Sequence, residues 1–218
     1  MKKWLVVLLL IQISCVNRSA QEGFQLHQGD LLFQDLDSSP LCDAIELVTP
    51  GYKGSNFSHI GLIVSDDGTL KVLEAVPPKI ILSEIDDFLN RSFDKDGKPK
   101  VIVGRLKDEY NNIIPKAIDF VNKQIGVDYD KVFLLNNEKY YCSELIYEAF
   151  EKDSIFQLQP MTFLHPETKD TLTTWKNYYT ELGVEIPQNK LGINPGIMSL
   201  SDKVEIIHSY GIPDGMKK

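Results

Sequence analysis

The chain has 218 residues, 43% of them hydrophobic, 25% charged and 10% aromatic. That make-up fits one globular domain of ordinary size rather than a disordered or fibrous protein. With 23 basic against 31 acidic side chains, a net charge of −8 and no basic stripe, nucleic acid is excluded as a partner class, as is a purely electrostatic hold on anionic membranes.

The first residues read as an export signal. Lys2 and Lys3 precede the apolar run Trp4 to Leu10, which Ile11 and Ile13 extend to Ser14. The run is shorter than the roughly 20 apolar residues needed to span a bilayer. Ile13-Ser14-Cys15 resembles a bacterial lipoprotein cleavage site, although Gln12 stands where that pattern prefers leucine. The expected organisation is a lipoprotein-type signal peptide over 1–14, a tether over 15–28 and one domain over 29–218. Cys15 would then carry the lipid that holds the protein to a membrane of the cell envelope. The alternative is a secretory cut near Ala20, which would discard Cys15. Without Lys2 and Lys3 the remainder is more acidic still, with 21 basic side chains against 31 acidic ones.

In chain order, Gly29 to Phe33 reads as a turn and a strand, and Pro40 opens a short helix over Leu41 to Val48. A loop from Thr49 to Phe57 leads into the strongest strand pair, His59 to Val64 and Thr69 to Val76, joined by Ser65-Asp66-Asp67-Gly68. Lys79 to Leu82 reads as a strand, Ser83 to Asn90 as a short helix and Lys100 to Leu106 as a strand. Ile114, Ala117, Ile118 and Val121 recur at helical period within 112–124. An aromatic-rich loop over 127–139 precedes a helix over Tyr141 to Glu151, with Cys142, Leu145, Ile146, Ala149 and Phe150 facing inward. A further helix near Lys169 to Leu182, a Gly/Pro-rich stretch over 187–195 and a closing segment over 201–208 complete the chain.

Three residues stand out chemically. Cys142 falls at the start of a helix, where unpaired N–H groups and the helix dipole favour a thiolate and can also receive an oxyanion. A disulfide between Cys42 and Cys142 is the competing reading in an oxidising compartment. His59 opens a strand that is otherwise apolar or glycine, so its imidazole needs a partner. Glu74 alternates with Leu70, Val72 and Val76, on a face where a carboxylate also needs one. If the hairpin loop is Ser65 to Gly68, His59 lies directly opposite Glu74, with Cβ atoms about 4.5–5.5 Å apart. If the turn is the tight Asp67-Gly68, Glu74 is the diagonal neighbour on the same face. Both of these registers join carboxylate to imidazole and only the intermediate one separates them; a nearby cysteine would complete a nucleophile, base and orienting group.

Gly29-Asp30-Leu31-Leu32, then Ser58-His59-Ile60-Gly61 with Leu73-Glu74-Ala75, then Tyr141-Cys142-Ser143-Glu144-Leu145 together resemble the YiiX-like proteins. These are circularly permuted papain-like enzymes of the NlpC superfamily. The resemblance implies an α+β fold, a permuted papain-like arrangement in which a small antiparallel sheet or barrel packs against the nucleophile-bearing helix. It maps nucleophile, base and third polar residue to Cys142, His59 and Glu74. The function it implies is a cysteine amidase or peptidase of the bacterial envelope, acting on cell-wall-type peptide or amide bonds. The alternatives are a lipid or thioester acyl hydrolase or acyltransferase using the same side chains, and a non-catalytic envelope binding module. The long tail after Phe150 departs from the family pattern, so pocket shape does not carry over.

His27, His165 and His208 read as non-catalytic, and Tyr140 and Tyr141 as packing residues. There is no His-Glu-x-x-His pattern and no Gly-rich phosphate loop. No metal or cofactor is expected.

Overall fold

The structure, a computed structural model, describes residues 23–217. The expected signal segment over 1–14, Cys15 and the start of the expected tether lie outside the described residues. The end of that tether lies against the domain. Phe24 stacks on His208 with ring centroids 4.0 Å apart, and Leu26 packs on the sheet.

The elements follow the sequence pattern closely through the first two-thirds of the chain. They are β1 (Leu31–Gln34), α1 (Pro40–Val48), β2 (His59–Asp66), β3 (Thr69–Val76), β4 (Lys79–Ser83), α2 (Ile85–Leu89), β5 (Val101–Leu106), α3 (Ile114–Asn122) and α4 (Cys142–Phe150). After these come β6 (Gln159–Pro160), α5 (Thr173–Leu182), β7 (Leu191–Gly192), α6 (Pro195–Met198) and β8 (Val204–Ser209). The fold is α+β: a six-stranded sheet in the order β4-β3-β2-β1-β5-β8, beside a small ribbon of β6 and β7. Every pairing in the large sheet is antiparallel.

Alternation along the strands sorts side chains onto two faces. Leu31, Phe33, Ile60, Leu62, Leu73 and Ile102 turn to the main core, which the helices fill with Val121, Leu145, Phe150 and Tyr179. Leu32, Ile63, Val72, Val101 and Val103 turn the other way, where Phe88 and Leu89 of α2 cover them. Both faces are therefore buried, and from Ile60 to Val64 β2 is apolar or glycine on both, with His59 at its start.

The tail differs from its reading. Helix α5 starts at Thr173 rather than near Lys169, because the chain first turns around His165. The N–H groups of Glu167 and Thr168 donate to His165 Nδ1 at 3.1 and 3.4 Å, and Lys169 adopts φ 62°. The β6–β7 ribbon and α6 carry no period long enough to be read from sequence.

Gly61 has a steric task two residues after His59. A Cβ there would sit 2.3 Å from Val72 Cγ1 and 3.1 Å from Phe88 Cε2. Gly61→Ala is expected to destabilise the domain by about 1–3 kcal/mol through overpacking, read as a lower urea midpoint at unchanged slope. An unchanged midpoint would show that α2 yields freely.

Candidate active site

The hairpin register decides between the two geometries read from the sequence. Asp66 pairs with Thr69 and Leu62 with Leu73, so the turn is the tight one and Glu74 is the diagonal neighbour of His59. The two side chains meet: His59 Nε2 lies 2.5 Å from Glu74 Oε2. Both are buried, the carboxylate completely.

Two further groups complete the surroundings of Glu74. Arg91, two residues beyond the end of α2, donates from one terminal nitrogen to Oε2 at 2.7 Å and from the other to Oε1 at 2.5 Å. Ser83 donates its hydroxyl to Oε1 at 2.5 Å. The register of β3 with β4 places Ile81 opposite Glu74 and Ser83 opposite Val72, so Ser83 is again a diagonal neighbour on the same face. Sequence reading missed both groups. Ser83 could have been found by carrying hairpin counting one strand further. For Arg91 the only signal was that a buried carboxylate needs a cation, and Arg105 is engaged elsewhere, by Asp30.

Burial alone would raise the Glu74 carboxyl, but the hydrogen bonds and charges of Arg91 and His59 hold it down at about 2. Burial alone would lower His59, but hydrogen bonding to Cys142 and Glu74 and the charges of both lift it to about 9. Carboxylate and thiol thus both act on the imidazole, and the three residues singled out in the sequence come together.

Cys142 is the first residue of α4, so the N–H groups of that turn have no acceptor within the helix. Cys142 and Cys42 are both free thiols. Cys42 Sγ instead lies 3.4 Å from Ser38 Oγ. Two hydrogen bonds stitch the tail to the start of α4. Ser143 Oγ donates to the Ile193 carbonyl at 3.0 Å, and the Ile193 N–H donates to Tyr141 Oη at 3.2 Å. Tyr141 is buried with an edge-on contact to Phe133, while Tyr140 is half-exposed. Beside Cys142 opens a cavity of about 210 Å³ walled by Phe133, Met161, Phe163, Trp175, Ile193 and Ile197.

His27, His165 and His208 lie outside this group. His208 is sandwiched with Phe24 and Tyr210, and His165 serves the turn described above. A cluster of Asp35, Asp37 and Asp214 brings its carboxylate oxygens within 4.8 Å of one another. Lys100 Nζ sits among them at 3.2, 2.6 and 3.1 Å.

A cysteine at the head of a packed helix, facing an imidazole on an antiparallel sheet, is the arrangement of papain-like thiol hydrolases, here with histidine before cysteine in the chain. Residues 25–208 match the family described as permuted papain-like amidase enzyme, YaeF/YiiX, C92 family. The chain belongs to that family, and is a cysteine hydrolase of the peptidase and amidase class. Its fold is similar to that in the crystal structure of metalloprotein yiiX from Escherichia coli O157:H7. The TM-score is 0.71 at 20% identity, over 86% of this chain and 99% of that one. Comparison with curated protein sequences gave no match.

Replacing Arg91 with methionine leaves Glu74 buried with its main cation gone, at an expected cost of about 2 kcal/mol or more at pH 7. The pH dependence carries the sign. Glu74 is held at about 2 against an ordinary 4.5, so its contribution is whole above the ordinary value and lost as pH falls toward the lower one. In Arg91→Met the carboxyl rises back toward its ordinary value, so less stability remains to be lost below pH 4.5 and the variant's curve should be flatter there. Denaturant titrations between pH 3 and 7 test this, and parallel curves for variant and parent would refute it.

Proposed function

We propose that the protein is a cysteine amidase or peptidase of the bacterial envelope that cleaves cell-wall-type peptide or amide bonds. Cys142 is the nucleophile, His59 its base and Glu74 the group that orients the histidine. One observation carries the reading: the His59 imidazole meets a buried carboxylate at 2.5 Å and is close enough to Cys142 for the thiol to help raise it.

In this mechanism the Cys142 sulfur attacks the substrate carbonyl while its proton rests on His59. The oxyanion is received by first-turn N–H groups of α4, whose fixed dipoles need no reorganisation. The tetrahedral species collapses as the imidazolium protonates the leaving amine, giving a thioester on Cys142. His59 then takes a proton from water, which releases the acid. Glu74 stays ionised throughout. Its hydrogen bonds to Arg91 and Ser83 leave it little freedom to turn away from the imidazole.

No metal enters this reading, although yiiX is described as a metalloprotein. Among the described residues, those grouped closely enough to hold a cation, Asp35, Asp37 and Asp214, already surround the Lys100 ammonium, which sits where a metal would have to go.

Cys142→Ala is expected to abolish hydrolysis of cell-wall peptides with circular dichroism unchanged. With the parent enzyme the rate should hold as pH rises and fall above about 9, where His59 loses its proton. Full activity in the alanine variant would rule out the mechanism. We place the protein at the envelope on its charged and apolar first residues, with Cys15 as lipid carrier. Cys15→Ser should shift it from the membrane to the soluble fraction; equal partition of both forms would count against an anchor.

A further inference from the structure

We propose that the cavity beside Cys142 is the subsite for the acyl part of the substrate, so that the enzyme prefers amides and esters whose scissile carbonyl bears an aromatic or alkyl group over those bearing an acetyl-sized one. This rests on the reading of Cys142 as nucleophile and adds the substrate class.

Size, wall chemistry and position agree. The cavity measures about 210 Å³, and an apolar cavity of roughly 150 Å³ accepts a benzene ring. Space therefore exists for a ring or for a chain of about six to eight carbons. Phe133, Met161, Phe163, Ile193 and Ile197 supply the wall. Three of the polar neighbours are already engaged: Ser143 Oγ donates to the Ile193 carbonyl, Asn194 bonds Thr49 and the Ile197 N–H, and Ser58 Oγ accepts the Leu36 N–H.

Position selects the acyl side over the leaving group. Cys142 and Ser143 are part of the cavity wall and His59 is not, yet the leaving group must depart toward His59 to be protonated. What remains on sulfur is thus directed to the other side of Cys142, where the cavity opens. Gln159 to Phe163 and Gly192 to Ile197, both from the tail after Phe150, form part of that wall, so the preference is set by the tail.

The test uses the full chain and p-nitrophenyl acetate, butyrate, hexanoate and octanoate, with N-acetylphenylalanine p-nitrophenyl ester as the aromatic arm. The Cys142 sulfur bonds to the acyl carbon, the carbon–oxygen bond breaks and nitrophenolate leaves with the electron pair. The thiol proton stays on His59. Nitrophenolate release and intact-protein mass both follow the thioester. Each buried methylene is worth roughly threefold to fourfold, so hexanoate should acylate at least about tenfold faster than acetate, or the aromatic ester should. A lead for the alkyl esters points to a fatty acyl source, and a lead for the phenylalanyl ester to a peptide; either supports the subsite. Met161→Trp should move the length optimum down and Met161→Ala should move it up. Rates flat with length, or an optimum that neither variant moves, would overturn the subsite. Iodoacetamide alkylation of Cys142 is read in parallel. Fast alkylation with a flat length profile sinks the subsite alone, whereas alkylation no faster than for a free thiol sinks the nucleophile reading beneath it.

Discussion

The Glu74 carboxylate is the constraint around which the rest of the site is arranged. An ion with no solvent contact faces a desolvation penalty of several kcal/mol, and here it is answered from every side by His59, Ser83 and both terminal nitrogens of Arg91. Each donor comes from a different stretch: the start of β2, the end of β4 and the residues after α2. Satisfying one carboxylate therefore ties the hairpin, the edge strand and the covering helix into one geometry. That shared geometry fixes where the imidazole stands when Cys142 meets it.

The first two-thirds of this arrangement could be read from the residues. The alternation of Leu70, Val72, Glu74 and Val76 placed a carboxylate among aliphatic side chains. Either plausible turn then brought it to His59, and the observed register, with Asp66 paired to Thr69, is one of those two. Periodicity also placed the start of a helix at Tyr141, one residue before α4 begins. The meeting of that helix with β2 could not be counted, because nothing local links residues 59 and 142; it came from the order of motifs. Arg91 escaped because a cation in a loop has no period, and its role is set by where α2 docks.

The tail was the least legible part, for a physical reason. The β6–β7 ribbon spans two residues on each strand and α6 spans four, too short for any period to show. These pieces are held by tertiary contacts: Ser143 Oγ and Tyr141 Oη take the two backbone groups of Ile193. The same hydrogen bonds that place the tail also seat it against the first turn of α4. A segment without local signal thus becomes the wall next to the nucleophile.

Two buried glutamates near that nucleophile are driven in opposite directions. Glu74, with Arg91 and His59 around it, is held at about 2. Glu144 stands in the first turn of α4, where its Oε2 accepts the Tyr141 N–H at 3.3 Å and its Oε1 has no partner. Burial, aided by the charges of Asp130 and Glu148, lifts it to about 8. The difference follows from partners, since both carboxyls are equally hidden but only Glu74 has cations. It also suits the chemistry proposed for Cys142. A negative charge in the first turn would oppose both a thiolate on Cys142 and an oxyanion at the helix N–H groups. A neutral Glu144 still caps the helix through its hydrogen bond and leaves the positive end of the dipole uncancelled. One carboxyl kept charged behind the base and another kept neutral beside the nucleophile point the local field in a single direction, toward negative charge at the Cys142 sulfur.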